Sequence, residues 1–312
     1  MIDRRALLAT AFATAAWPAR AADPVFRIGY QKNGILVVAK QQGVLEARLK
    51  PLGIGVGWTE FSFGPPLLEA LNLGGIAFGQ TGDAPPIFAQ AAGSDLVYAA
   101  AQGAAGSGAA ILVAEASPIR TLADLKGRRV AFAKASSAHN LTLAALAKAG
   151  LTYADIVPVT LAPADAAAAF ASGQIDAWTI WDPYFAIAQG RPDVRVLALA
   201  TDIARPNNFF LANRSVARTQ PQVVKAVVEA LSGVAAWCEA NRPAVAAILS
   251  RGTGVPLAAT ERAVARTDYV IGPVTPELVA EQQAIADRFH AAGLIPKSIR
   301  VADAVWAAPP NG

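Results

Sequence analysis

Residues 74–93 read GGIAFGQTGDAPPIFAQAAG. The glycines follow a helical run, LLEALN, and suit the left-handed residue that ends a helix. IAFG is a short β-like run, and TGD is a small polar loop. Pro85 and Pro86, just behind Asp83, mark the first turn of a new helix, where proline's missing N–H costs nothing. Helix end, glycine, strand, polar loop and new helix form the junction of an α/β protein with mostly parallel sheets.

The same junction recurs further along. ASGQIDAWTIWDPYF (171–185) aligns without gaps with NLGGIAFGQTGDAPP (72–86), matching Gly74 to Gly173, Ile76 to Ile175 and Asp83 to Asp182. Either an alanine-rich chain repeats itself by chance, or two similar α/β lobes each present the same helix start. The length of 312 residues fits the second reading, at roughly 150 residues per domain. Two further strand–loop–helix units are FRIGY–QKNG–ILVVAKQQGVLEARL and RVAFAK–ASSAHN–LTLAALAKAG. DLVYAA, AAILVAE and VRVLALA add strands, and the last part of the chain reads as mainly helical, with Pro221 and Pro276 early in their helices.

Open parallel sheets bind ligands beyond the carboxyl ends of their strands, where the loops of these units lie. Each loop also opens a helix, whose free N–H groups attract anions. The loops offer neutral hydrogen-bonding groups: Gln31, Asn33, Thr81, Gly82, Ser136, Ser137, His139 and Asn140. Their only formal positive charges are Lys32 and Lys134. Such a site suits a small oxyanion held reversibly. Asp83 and Asp182 read as helix caps or as ligand contacts; a carboxylate facing an anion is repulsive, so capping fits better. Ser136 and Ser137 suit capping and anion donation alike. His139, at a helix start, is expected to be neutral and to bond either ligand or backbone. Of the aromatic cluster Trp178, Trp181 and Tyr184, one tryptophan is expected in the core and the other at the cleft.

The composition excludes other classes. The chain is 54% hydrophobic and 16% charged, which argues for a packed core and against disorder. Arg4 and Arg5, an apolar run of about a dozen residues and Ala19-Arg20-Ala21 read as an export signal, cleaved after about Ala21 and too short for a bilayer span of ~20 residues. Without residues 1–21 the formal charge falls from +4 to +2, with no basic block to bind nucleic acid. One cysteine, Cys238, permits no internal disulfide and is expected as a buried small hydrophobe. No nucleophile elbow, H-E-x-x-H helix or phosphate-binding P-loop occurs, and no cofactor or metal is expected.

The strings RIGYQK, TGDAPPIFAQAAG, SSAHNL and IWDPY, with GLIPKSIRVADAVW near the end, resemble the aliphatic sulfonate substrate-binding proteins of ABC importers, from about Phe26 to Trp306. The resemblance implies a type II periplasmic-binding-protein fold: two α/β lobes joined by two crossing strands, near residues 108–113 and 205–212, with a ligand cleft between. It implies a first lobe from residues 22–110 and 209–312, a second from 111–208, and a signal segment at 1–21. It implies a non-enzymatic, monomeric periplasmic component that delivers an alkanesulfonate to a membrane permease for sulfur acquisition. The ligand positions it carries over are Gln31, Thr81, Gly82, Asp83, Ser136, Ser137, His139, Trp181 and Asp182, with Tyr184 beside Trp181 as a wall for the alkyl part. Gln80 stands where the resemblance expects a small hydroxyl residue, and Asn207 and Asn208 are further cleft candidates. Proteins of this fold for nitrate, taurine or a thiamin-related pyrimidine are the alternatives. An enzyme of thiamin-precursor synthesis using pyridoxal phosphate fits less well, given one cysteine and an export signal.

Overall fold

The computed structural model describes residues 24–103 and 107–309, so the signal segment expected at 1–21 lies outside the described residues. The chain begins with β1 (Val25–Tyr30), then α1 (Ile35–Gln42), α2 (Val44–Leu49), β2 (Gly55–Glu60), α3 (Gly64–Asn72), β3 (Phe78–Gly82), α4 (Ala84–Ala91) and β4 (Leu96–Gln102). It continues as β5 (Ala109–Ala114), β6 (Arg129–Phe132), α5 (Ser137–Lys148), β7 (Val157–Thr160), α6 (Pro163–Ala171), β8 (Ala177–Trp181), α7 (Tyr184–Gln189) and β9 (Val194–Leu199). The last part holds β10 (Asn208–Asn213), α8 (Arg214–Thr219), α9 (Pro221–Ala240), α10 (Arg242–Thr253), α11 (Leu257–Ala265), β11 (Ile271–Gly272) and α12 (Pro276–Ala291).

These strands form two sheets, one per lobe. The six-stranded sheet has the order β11-β4-β10-β3-β1-β2, and the five-stranded sheet β7-β6-β8-β5-β9. The chain passes from the first sheet to the second between Gln102 and Ala109, and returns between Leu199 and Asn208. Pairing explains why the sheets are parallel with interruptions. β1 lies parallel to β2 and β3, and β6 lies parallel to β7 and β8. β10 runs antiparallel to both β3 and β4, and β5 antiparallel to both β8 and β9. β5 and β10 are the first strands after each passage between the lobes. A strand that enters from the cleft side must run away from it, whereas β1, β3, β6 and β8 run towards it.

Each sheet carries apolar layers on both faces. On the first, Ile28, Phe78, Phe210 and Val227 pack beneath α1, α9 and α10, while Leu67, Ile87, Phe209 and Phe289 pack on the side of α3, α4 and α12. On the second, Val130 and Phe132 pack with Leu146 of α5, and Leu112, Trp178 and Ile180 pack with Ala166 of α6 and Phe185 of α7. A side chain of this size taken fully from water contributes about 1.5–3 kcal/mol. Cys238 is part of the first layer and fully buried. Among the described residues no helix is long and apolar enough to cross a membrane.

The repeated junction is realised at both sites. α3 ends before Gly74 at φ 73° and α6 before Gly173 at φ 70°, and each glycine N–H returns to the carbonyl three residues back, Leu71 or Phe170, over 3.2 Å. An L-residue there would carry the strain of the left-handed region. β3 and β8 follow, and each delivers its aspartate to the cleft side of its sheet.

Candidate functional site

A cleft of ≈ 160 Å³ lies between the lobes. One part is polar: Thr81, Gly82 and Asn208 come from the first sheet, and Ser136 and Ser137 from the start of α5. The other part is walled by Leu36 of α1, Leu249 of α10, Thr260, Ala263 and Val264 of α11, and Tyr269. Gln31, Asn33, Trp181 and Asp182 also line it. Seven of the sequence-expected residues therefore meet on one surface: Gln31, Thr81, Gly82, Ser136, Ser137, Trp181 and Asp182.

The lobes touch closely at the polar part. A Cβ built on Gly82 would come within 2.0 Å of Ser137 Oγ across the cleft. Any side chain there would force that hydroxyl to turn away. Ser136 Oγ donates to the Ala133 carbonyl over 2.6 Å, which closes the loop into α5 and leaves that helix start free of a side-chain cap. Its first N–H groups are thus available on the cleft side to a bound anion. Gln31 Nε2 donates to the Gln80 carbonyl over 3.1 Å, tying the first loop to β3.

Asp83 is placed behind this surface, not on it. It is 1% exposed, and its Oδ1 accepts from Ala84 N over 2.7 Å as the cap of α4. Its Oδ2 accepts from Asn140 Nδ2 of the opposite lobe over 2.7 Å, and the Ser137 hydroxyl supports the same carboxylate. Arg288 Nη1 in turn donates to Asn140 Oδ1 over 2.7 Å. Burial pushes the Asp83 carboxyl above its ordinary value, against the pull of these hydrogen bonds.

Asp182 reaches the cleft with its charge already matched. Arg266, just beyond α11, donates Nε to Oδ2 and Nη2 to Oδ1, both over 2.8 Å. The guanidinium also lies over the Phe185 ring, 4.0 Å from its centroid. Oδ1 accepts from Ala186 N over 3.0 Å, so the aspartate caps the first turn of α7. The helix itself starts one residue later than a proline-first reading places it: Pro183 holds the cap position and Tyr184 the first turn. Burial outweighs the Arg266 partner and pushes the Asp182 carboxyl up. Asn33 Nδ2 donates to the Asp182 carbonyl over 3.0 Å, a second bond between the lobes.

Two more expected ligand residues sit elsewhere. His139, 1% exposed, stacks on Phe132 with centroids 4.6 Å apart and meets Phe88 and Phe289 of the first lobe. Its Nδ1 accepts from Ala135 N over 3.3 Å. Burial, aided by the Lys134 charge, pushes the imidazole down to about 4, so it is neutral and serves the interface between lobes. Tyr184 lies outside the cleft lining and packs edge-on against the buried Trp178, 6.4 Å between centroids. Its position on the first turn of α7 turns it from the surface that Trp181 lines. Asn208 lines the cleft, whereas Asn207 is buried and donates to Glu281 Oε2 over 2.8 Å. The exposed cations Lys32 and Lys134 belong to the loops, and only Lys32 lines the cleft. Among the described residues no three His, Cys, Asp or Glu side chains gather to hold a metal ion.

Residues 64–244 match the family described as NMT1/THI5 like. The chain belongs to this family. An Escherichia coli K12 protein described as an aliphatic sulfonates-binding protein is 44% identical over 295 residues, which cover 94% of this chain and 92% of that protein. The alkanesulfonate-binding protein SsuA from Xanthomonas axonopodis pv. citri, solved bound to MOPS, superposes with a TM-score of 0.85 at 43% identity, over 92% of this chain and 99% of that one. The periplasmic aliphatic sulphonate binding protein SsuA from Escherichia coli gives 0.84 at 42% identity, over 94% of each chain. The NMT1/THI5-like chain thus shares the two-lobed fold of solved binding proteins.

Proposed function

We propose that this protein is the solute-binding component of an ABC importer, that it binds aliphatic sulfonates in the cleft between its lobes, and that it delivers them to a membrane permease for sulfur acquisition. The observation that carries this reading is the make-up of the cleft: the uncapped start of α5 and the Ser137 hydroxyl face Gly82 at one part, and an apolar wall with Trp181 continues from it. A tetrahedral anion with an apolar chain fits both. The Asp182 carboxylate does not repel such a ligand, because Arg266 neutralises it. Gln31, Thr81, Gly82, Ser136, Ser137 and Trp181 form the binding surface, with Asp83, His139 and Asp182 holding the lobes around it.

The reading includes export to the periplasm with removal of residues 1–21, action as a monomer, and two lobes, expected at 22–110 with 209–312 and at 111–208, whose division falls instead before Ala109 and before Asn208, since Ala109 and Ala110 pair in the second sheet and Asn208 in the first. The names of the relatives support the ligand class and the compartment. Thermal melts with methane- to octanesulfonate, taurine, nitrate and sulfate test the ligand. A bound sulfonate at ~100 times its Kd raises stability by about 2.7 kcal/mol. A shift with nitrate alone rejects the sulfonate assignment.

A further inference from the structure

A relay of amide hydrogen bonds runs along one wall of the cleft, apart from the anion-binding surface. Gln80 Nε2 donates to Gln102 Oε1 over 2.7 Å, and Gln102 Nε2 donates to the Asp268 carbonyl over 2.7 Å. The last acceptor sets the direction of the whole relay. A backbone carbonyl cannot donate, so the Gln102 group that faces it is the NH₂. Gln102 Oε1 then faces Gln80, which answers with its own NH₂. Gln102 is 3% exposed, so the buried amide has these two partners to satisfy it.

The consequence falls on Gln80 Oε1. It points away from the relay, to within 3.2 Å of where a Cβ on Gly34 would stand, and Gln80 and Gly34 both line the cleft. Among the described residues no protein donor reaches this oxygen. Gln80 is two residues before Gly82 on β3 and shares its face. The other end of the relay, Asp268, adjoins Tyr269 of the apolar wall. A fixed, unpaired acceptor therefore stands between the polar and apolar parts of the cleft.

We infer that Gln80 is a specificity residue that selects sulfonates whose carbon chain carries a hydroxyl group over their unsubstituted counterparts. The inference rests on the anion-binding reading above. A plain alkyl chain covers Gln80 Oε1 and leaves it dry and unpaired; a hydroxyl donates to it. An amino group is served less well, because an ammonium brings three donors and a full charge to one neutral acceptor. Neither nearby carboxylate compensates: Asp83 is buried behind the surface, and Asp182 is held by Arg266.

Calorimetric titration of the purified protein tests this with ethanesulfonate against 2-hydroxyethanesulfonate, propanesulfonate against 3-hydroxypropanesulfonate, and 2-aminoethanesulfonate. In at least one pair the hydroxylated ligand is expected to bind about five- to tenfold more tightly, and 2-aminoethanesulfonate more weakly than its hydroxy analogue. In Gln80→Met the ratio within that pair falls to about one. Gln102→Met frees the Gln80 amide to turn and lowers the ratio as well; melts of the unliganded variants verify folding, and Gln102→Met carries the test if Gln80→Met does not fold. Equal affinities within both pairs, or a preference that survives in the folded variant, overturn the inference while leaving sulfonate binding intact. Failure of all five sulfonates to bind rejects the sulfonate assignment and the inference together.

Discussion

At residues 74–91 and again at 173–189 a left-handed glycine, a five-residue strand, a capping aspartate and a helix follow one another, yet the two aspartates end in different chemistry. Asp83 is met from the opposite lobe by a neutral amide, Asn140 Nδ2, whereas Asp182 is met by the Arg266 guanidinium in two parallel bonds. Local sequence builds the same backbone turn twice. The partner arrives from elsewhere in the chain, and it decides whether the cap is a polar contact or an ion pair. Both partners cross between lobes, so each cap is also a clasp.

The comparison breaks first at Asp182. Asp182→Ala leaves Arg266, its side chain only 13% exposed, without a counter-charge, and removes the cap of Ala186 N. A loss of about 3 kcal/mol is expected in urea unfolding, towards the lower side of the range for a broken buried pair. A loss below about 1 kcal/mol would make the ion pair no more than the surface kind.

Acid sharpens it next. His139 is pushed down to about 4 from an ordinary 6.5, so the unfolded chain binds the extra proton first as the pH falls. Its contribution is complete above pH 6.5 and is lost between there and about pH 4, to a limit of about 3 kcal/mol. Asp83 and Asp182, both raised, work the other way: each lowers stability as the pH climbs from 3.8 towards its raised value. The difference between melting curves of the native protein and His139→Phe isolates the imidazole. A constant difference from pH 7 to pH 4 would show that His139 is not held neutral.

Trp181 carries the third expectation, since it is the aromatic of the second junction that faces the cleft while its counterpart at the first is Gly82. Trp181→Ala is expected to weaken octanesulfonate about tenfold, at ~25 cal/mol per Å² of lost apolar cover, and methanesulfonate much less. Equal losses would assign it to support of the fold. The smallest effect belongs to Asp83→Asn, at about 1 kcal/mol, because a neutral group keeps part of the contact with neutral partners. A cost equal to that of Asp182→Ala would erase the distinction between the two clasps.

Much of the scaffold was readable from local signals. Glycine, strand, aspartate and proline at fixed spacing locate both junctions, and the strand ends and the loops that follow them hold Gln31, Gly82, Ser136, Ser137 and Trp181, all of which line the cleft. What stayed hidden depends on pairs distant in sequence. Arg266 lies 84 residues from Asp182, and Gln102 lies 166 from Asp268; neither arginine nor glutamine at those positions carries a local motif. The place of His139 stays open for a related reason. A histidine at a helix start suits a bond to ligand or to backbone, and Phe88 and Phe289, which enclose it, come from the other lobe. Tyr184 falls outside the cleft lining because it packs on the buried Trp178, a contact that no local motif marks.

Gly82 acts as the stop on a pair of calipers. Its missing side chain lets the jaws rest with Ser137 Oγ only 2.0 Å from the place a methyl group would take. Put alanine there and the hydroxyl must swing aside, withdrawing one of the supports of Asp83. The spacing of the two surfaces at this point is set by an atom the protein does not have.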